Sequence, residues 1–205
     1  MTTQTIGILL FDGAEELDFV GPFEVFTMLS EVKSRRKENG GNKVVLISQS
    51  GEDIIGAKGM RIGVECSVAD APKLDVLCIP GGKGTRQVIK NADLVNWVAK
   101  TASQCTWVTS VCTGSFVLAA AGLTKDKNIT THWAAIDEFA QLGLQGCVKK
   151  NARYVRDGNL LTSAGVSAGI DMALWLTGQM HSVGLARDTQ LAMEYDPAPP
   201  YTADV

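Results

Sequence analysis

Hydrophobic residues in this chain fall into short unbroken runs separated by longer stretches with a helical stripe. Thr5 to Phe11 reads as a buried strand that stops at Asp12-Gly13. From about Gly21 to Ser30, the side chains of Pro22, Phe23, Val25, Phe26 and Leu29 mark one helix face. Pro22 is expected in the first turn of that helix, where its missing N–H costs little. Lys43 to Ser48 is a second strand, and residues 50 to 70, broken by Gly51, Gly56, Gly59 and Gly63, read as hairpin material. Asp75 to Ile79 is a third strand, stopped by Pro80-Gly81-Gly82. Residues 91 to 103 read as a helix and Thr106 to Val111 as a fourth strand. An Ala-rich helix runs from about Thr113 to Ala121 and closes at Gly122. Asn159 to Ser163 is a late strand, followed by helices over Val166 to His181 and Ser182 to Met193. The Pro-rich tail from Asp196 to Val205 is expected to be extended.

Strands that are apolar throughout and alternate with helices indicate a parallel sheet covered on both faces. The expected fold is a single flavodoxin-like, doubly wound α/β domain over residues 1–205, without a linker or repeat. Ligands in such folds sit at the carboxyl ends of the strands. Three segments should therefore converge on one crevice: Asp12 to Gly21, the Pro80-Gly81-Gly82 turn, and the turn holding Cys112.

Composition narrows the class. The chain has 205 residues, 45% hydrophobic and 20% charged, which fits one globular domain and excludes collagen, coiled coil and bulk disorder. Its net charge of −3 argues against a nucleic-acid partner. The short basic run Lys33-Ser34-Arg35-Arg36-Lys37, flanked by Glu31 and Glu38, reads as a solvated helix end or loop. No stretch approaches the roughly 18 to 20 apolar residues that span a bilayer. No positive charge precedes the first apolar run, so a secretory signal is not expected. The cysteines, Cys66, Cys78, Cys105, Cys112 and Cys147, are odd in number and widely spaced. That disfavours both a disulfide framework and a structural zinc site, and suggests a cytoplasmic chain with free thiols.

One thiol differs from the rest. Thr109-Ser110-Val111-Cys112-Thr113-Gly114-Ser115 joins a buried strand directly to a helix, as a nucleophile elbow does with serine. Ser110 and Gly114 are small and leave room for the turn. A thiol near the first N–H groups of a helix should ionise below its usual pKa of about 8.5. Cys78, inside Val-Leu-Cys-Ile, reads instead as a small buried hydrophobe. A thiolate that adds to a substrate needs a proton donor or base. Glu15, Glu16 and Asp18 on the loop after the first strand are the candidates, and spacing does not choose among them. Asp18 could equally cap a helix. Gly81 and Gly82 let the backbone approach a substrate and aim N–H groups at developing negative charge. His132, at a strand-to-helix join, could act as a base, although a hydrogen-bonded structural histidine is the plainer reading. His181 has no assigned role. With the two histidines far apart in sequence, no metal is expected, and without a P-loop or a correctly placed G-x-G-x-x-G no nucleotide cofactor is expected.

These segments resemble the ThiJ/PfpI superfamily, relatives of class I glutamine amidotransferase domains. The resemblance runs from Ile6 to about Tyr201. Within the superfamily it points to the isocyanide hydratases, through Leu17 to Pro22, Cys78 to Gly82, Thr109 to Ser115, Ala120 to Leu123 and Thr130-Thr131-His132-Trp133. Further matches are Val155 to Thr162, Ser167 to Asp171 and Glu194 to Pro200. The protease-like branch has His after the nucleophile where this chain has Thr113. The glyoxalase and chaperone-like branch has Glu where this chain has Asp18. The resemblance thus selects Asp18 as the acid. It implies a hydro-lyase in which Cys112 attacks the isocyanide carbon and Asp18 manages the proton that the nitrogen requires. Water then releases the formamide from a thioimidate. Thr113, Gly82 and Val166, the last in place of a familiar isoleucine, would complete the wall. An apolar pocket would take the R group, and a homodimer is implied. The alternatives are a glyoxalase or amidase of the same superfamily, or a cysteine redox sensor. A further neighbour is the sensor domain of AraC-type regulators. The ten or so residues after the last helix leave no expected room for the DNA-binding domain of those regulators.

Overall fold

The computed structural model describes residues 3–197. The chain opens with β1 (Gln4–Leu9) and α1 (Glu16–Arg35), followed by β2 (Asn42–Ser48). The expected hairpin is β3 (Ile54–Ile55) with β4 (Arg61–Ile62), and the short β5 (Cys66–Ser67) follows it. Then come β6 (Val76–Ile79), α2 (Thr85–Val88), α3 (Ala92–Ala102), β7 (Trp107–Val111) and α4 (Gly114–Ala120). β8 (Asn128–Ile129) leads through a 3-10 turn (Trp133–Ala135) into α5 (Ile136–Gln141). The chain continues through β9 (Cys147–Val148), β10 (Tyr154–Asp157), β11 (Leu160–Ser163), α6 (Ala168–Met180) and α7 (Val183–Ala192). Of the tail expected to be extended, residues 198–205 lie outside the described residues.

Seven strands form one sheet in the order β10-β11-β7-β6-β1-β2-β5. Every neighbouring pair is parallel except β10 with β11. Helices cover both faces because the buried strands are apolar on both. Ile6, Val76, Val111 and Leu161 pack with Val25 and Phe26 of α1 and with Met172 and Leu176 of α6. Leu77, Ile79 and Val108 pack with Leu94 and Val98 of α3 and Phe116 of α4. The α/β layering and mostly parallel sheet are as the hydrophobic pattern implies. The chain leaves β1 on one side through β2 and returns on the other through β6. The topological switch point therefore lies between β1 and β6, where a crevice opens at the strand ends.

Three expectations need correction. Helix α1 begins at Glu16, so Pro22 is its seventh residue and lies inside it. Its ring removes the N–H that would have bonded the Asp18 carbonyl. Upstream residues continue the helix because Phe19 is buried and Glu16 and Asp18 place acidic groups in the first turn, favourable for the dipole. Secondly, the basic run is not uniformly solvated. Lys33 is only 1% exposed, while Arg35 and Arg36 pair with Glu31 and with Asp188 and Glu38. The run sits at the end of α1, which packs on α6 and α7, and this closes over the lysine stem. Thirdly, the edge strand β10 was not expected. Gly158-Asn159, with Gly158 at φ 66°, is a hairpin turn that returns it onto β11. Among the described residues, no helix is long and apolar enough to cross a membrane.

The crossing of β6 over the start of α4 fixes the mouth of the crevice. A Cβ at Gly114 would stand 2.1 Å from the Ile79 carbonyl oxygen and 2.9 Å from that of Pro80. Both neighbours are backbone and cannot swing away. Gly114→Ala should therefore destabilise the protein by about 3 kcal/mol, read as a lowered urea midpoint at unchanged m-value.

Candidate active site

The carboxyl end of β7 turns into α4 through Cys112, whose φ of 54° lies in the left-handed region that L residues rarely adopt. The turn is held from several sides. The Cys112 N–H donates to the carbonyls of Ser163 (3.1 Å) and Ala164 (3.2 Å) at the end of β11. The Cys112 carbonyl accepts from the hydroxyls of Thr131 (3.0 Å) and Ser115 (3.2 Å). Strain of this kind persists only where neighbours over-determine it. β7, the Cys112 turn and α4 thus follow one another directly, strand to turn to helix. Cys78 is fully buried inside β6, also as expected. All five cysteines are free.

Asp18, Gly81, Cys112 and Thr113 meet at one point. A Cβ on Gly81 would lie 2.7 Å from Asp18 Oδ2, 2.8 Å from Cys112 Cβ and 2.6 Å from the Thr113 nitrogen. Asp18 projects inward from the first turn of α1 and does not cap it; Glu15 holds the cap position. Its Oδ2 accepts the Gly81 N–H at 2.9 Å, and the buried Oδ1 has no hydrogen-bond partner among the described residues. The Gly82 N–H donates to Thr113 Oγ1 at 3.0 Å. The expectation that Gly81 and Gly82 point amides at a substrate is therefore corrected. Both N–H groups are engaged by side chains of the site, and Gly81 acts by having no side chain.

Glu16 faces elsewhere. Its Oε1 accepts the Lys58 N–H at 2.7 Å, so it anchors the β3–β4 hairpin. Burial alone would raise its pKa, but the N–H groups of Lys58, Glu16 and Met60 outweigh that and hold it below the usual value. His132 Nδ1 accepts the Ala134 N–H at 3.2 Å, and its ring packs on Gly165. This is the structural role, although His132 also lines the cavity beside Cys112.

That cavity, of about 260 Å³, is bounded by Cys112, Thr113, Gly82, Val166, Ala134 and Ala135. Glu15, Lys83, Arg86, His132 and Glu138 complete its rim. The rim is thus more charged than the apolar pocket expected from sequence. Glu15 pairs with Lys58, and Arg86 pairs with Glu138. Sequence reasoning missed Thr85, Arg86 and Glu138. No motif surrounds them, and only the packing of α2 and α5 brings them to the site.

Electrostatics overturn a further expectation. Burial, reinforced by the charge of Asp18, pushes the Cys112 thiol up to about 12, although the Thr113 N–H and hydroxyl oppose this. Desolvation outweighs the pull of the short helix α4. Burial likewise raises Asp18 to about 7, against the opposing Gly81 N–H. The two groups titrate as a pair. Below about pH 7 the pair holds two protons; above it Asp18 is ionised and the Cys112 thiol keeps its proton. Among the described residues, no group of three or more His, Cys, Asp or Glu side chains is placed to hold a metal ion.

Comparison with known proteins identifies the family. A model of the DJ-1/PfpI family matches residues 4–179. The chain belongs to the DJ-1/PfpI family. Within this family it is 39% identical over 196 residues to the isonitrile hydratase of Pseudomonas putida, covering 96% of this chain and 80% of that protein. It is 33% identical over 141 residues to the HTH-type transcriptional regulator CdhR of Pseudomonas aeruginosa, covering 69% of this chain and 41% of the regulator. The crystal structure of a ThiJ/PfpI family protein from Pseudomonas syringae superposes with a TM-score of 0.86 at 33% identity, covering 100% of this chain and 80% of that one.

The raised Asp18 carries a stability prediction. Its folded pKa of about 7 exceeds its ordinary 3.8, so between those values the folded state binds more protons than the unfolded chain. This contribution is fully present below about pH 4 and lost as pH rises through about 7. Asp18→Asn should remove that slope and stabilise the protein at neutral pH, by at most about 4 kcal/mol. Urea unfolding of both forms across this range measures it; an unchanged slope would mean Asp18 is not held protonated by burial.

Proposed function

We propose that this protein is an isocyanide hydratase, converting R–N≡C and water to the N-substituted formamide. The observation that carries the reading is the pairing of Cys112 and Asp18 around Gly81, and the 39% identity to an isonitrile hydratase supports the substrate class. Asp18 first takes the thiol proton. The thiolate forms a C–S bond to the terminal isocyanide carbon, and the electron pair left on that carbon takes the proton back from Asp18. The product is a thioimidate, Cys112–S–CH=N–R. Atom balance thus puts the first proton on carbon; the nitrogen receives its proton at the next step. Asp18, now ionised, draws a proton from water as its oxygen adds to the same carbon, and passes that proton to nitrogen. The hydroxyl proton of the resulting adduct goes to Asp18 as the C–S bond breaks. The formamide leaves, with thiolate and protonated Asp18 restored.

Thr113 supports the sulfur with its N–H and hydroxyl in this scheme. The R group sits toward Ala134, Ala135 and Val166. A homodimer belongs to the same proposal. Its support is the exposure of Leu17 and Val20 on α1 and of Ile55 and Met60 on and beside the hairpin. Analytical ultracentrifugation giving the monomer mass at micromolar concentration would refute it. A second reading, favoured by the likeness to the transcriptional regulator CdhR, is a cysteine redox sensor without turnover.

Formamide production from cyclohexyl isocyanide separates these readings. Cys112→Ala should abolish turnover, and Asp18→Asn should lower it at least about 100-fold, the usual worth of a positioned acid–base group. No turnover by the unaltered protein would favour the sensor. The rate should also rise with pH through about 7, as the two-proton pair gives way to the one-proton pair. A rate already maximal at pH 5 would contradict this titration.

A further inference from the structure

A second cavity, of about 480 Å³, lies where β10 meets α6 and α7 and shares no lining residue with the one at Cys112. That volume is in the range of small-molecule sites. Tyr154, Leu174, Trp175, Val183 and Ala186 form its apolar walls. Leu174 and Trp175 are only half-buried, and Val183 is 59% exposed, so apolar surface is left open there. The aromatic wall is fixed from within the fold. The Trp175 ring meets Trp107 edge-on at 5.9 Å and Tyr154 at 6.1 Å, and the Arg156 guanidinium stands 5.7 Å from it.

The polar groups of this cavity are unequal. Its one carboxylate, Asp171, is engaged inside the protein: Oδ2 accepts from Arg153 Nε at 2.7 Å and Oδ1 from the Tyr195 hydroxyl at 2.9 Å. Gln190 donates to the Tyr195 carbonyl at 3.0 Å and so holds Tyr195 against this wall. Two donors are left. Among the described residues Arg187 has no carboxylate partner, the adjacent Asp188 being paired with Arg36, and the Tyr154 hydroxyl makes no hydrogen bond. Arg153 and Arg187 against Asp171 leave the cavity one positive charge in excess. Its complement is a flat apolar body that carries one anionic acceptor.

We propose that this cavity is a second ligand site, for a small aromatic carboxylate, with the ring against Leu174 and Trp175 and the carboxylate on Arg187. The planar guanidinium fork matches a carboxylate at two points, which a point charge does not. The Tyr154 hydroxyl supplies a further donor. The apolar walls keep water from the ion pair, which makes it stronger than a pair in open solvent. The site does not depend on the reaction at Cys112, so failure of the hydratase reading leaves it standing.

The test is isothermal titration calorimetry of the full chain with 2-naphthoate, beside the neutral 2-naphthamide. 2-Naphthoate should bind at least about tenfold more tightly than the amide, as a hydrogen bond between charged groups implies. Arg187→Met should abolish that preference and leave the weaker binding of the amide unchanged. Tyr154→Phe should weaken 2-naphthoate about threefold, the worth of one ordinary hydrogen bond. Saturating 2-naphthoate should not slow the alkylation of Cys112 by iodoacetamide, because the two cavities are separate. Binding of neither probe, equal binding of both, or undiminished affinity in Arg187→Met would overturn the proposal. Protection of Cys112 would place the probe in the catalytic cavity and overturn it too. Affinity that falls as protein concentration rises would show a second copy seated there instead. Binding only by a variant lacking residues 198–205 would show that those residues fill the cavity, and would likewise overturn it.

Discussion

Everything at the crevice depends on the absence of a side chain at Gly81. Asp18 from α1, Cys112 from the end of β7 and Thr113 from the start of α4 close on the space where a Cβ would stand, at separations of 2.6 to 2.8 Å. No L residue with a side chain fits there without displacing backbone. The same close approach buries the carboxyl and the thiol together, and burial sets their chemistry. Two acidic groups in one dry enclosure cannot both ionise near neutral pH, so the pair keeps at least one proton.

This arrangement costs stability. A carboxylate raised to about 7 and a cysteine at a φ of 54° are both tolerated only because the surrounding elements fix them. The hydrogen bonds from Thr131 and Ser115 to the Cys112 carbonyl, and those from the Cys112 N–H to the end of β11, show how widely that fixing is distributed. Strand β11 and the segment before α5 thus have a part in the site without entering the cavity. The β3–β4 hairpin plays a similar part through Glu16, which ties the start of α1 to Lys58.

Much of this was legible in the chain. Four short apolar runs located the central strands, because strands buried on both faces carry no polar alternation. The turn between Val111 and Gly114 identified the elbow, because a strand passing directly into a helix with small flanking residues has few other uses. The start of α1 was not legible. Pro22 resembles a first-turn proline, and nothing local shows that Phe19 must be buried. Choosing Asp18 over Glu15 and Glu16 needed a family likeness, since all three lie within one helical turn and only tertiary packing separates their directions. The direction of the Cys112 shift was misjudged because a helix terminus is visible in sequence and desolvation is not. Thr85, Arg86 and Glu138 were invisible because α2 is one turn long and α5 meets it only through the fold.

The central claim is that Cys112 forms a covalent bond to the isocyanide carbon with Asp18 handling its proton. Acid quenching of the enzyme during turnover of cyclohexyl isocyanide, followed by peptide mass spectrometry, tests it most directly. The account predicts a fraction of the Cys112 peptide heavier by one isocyanide, present only while substrate remains. Formamide release with the Cys112 peptide unmodified at every time, or an adduct on another cysteine, would contradict it.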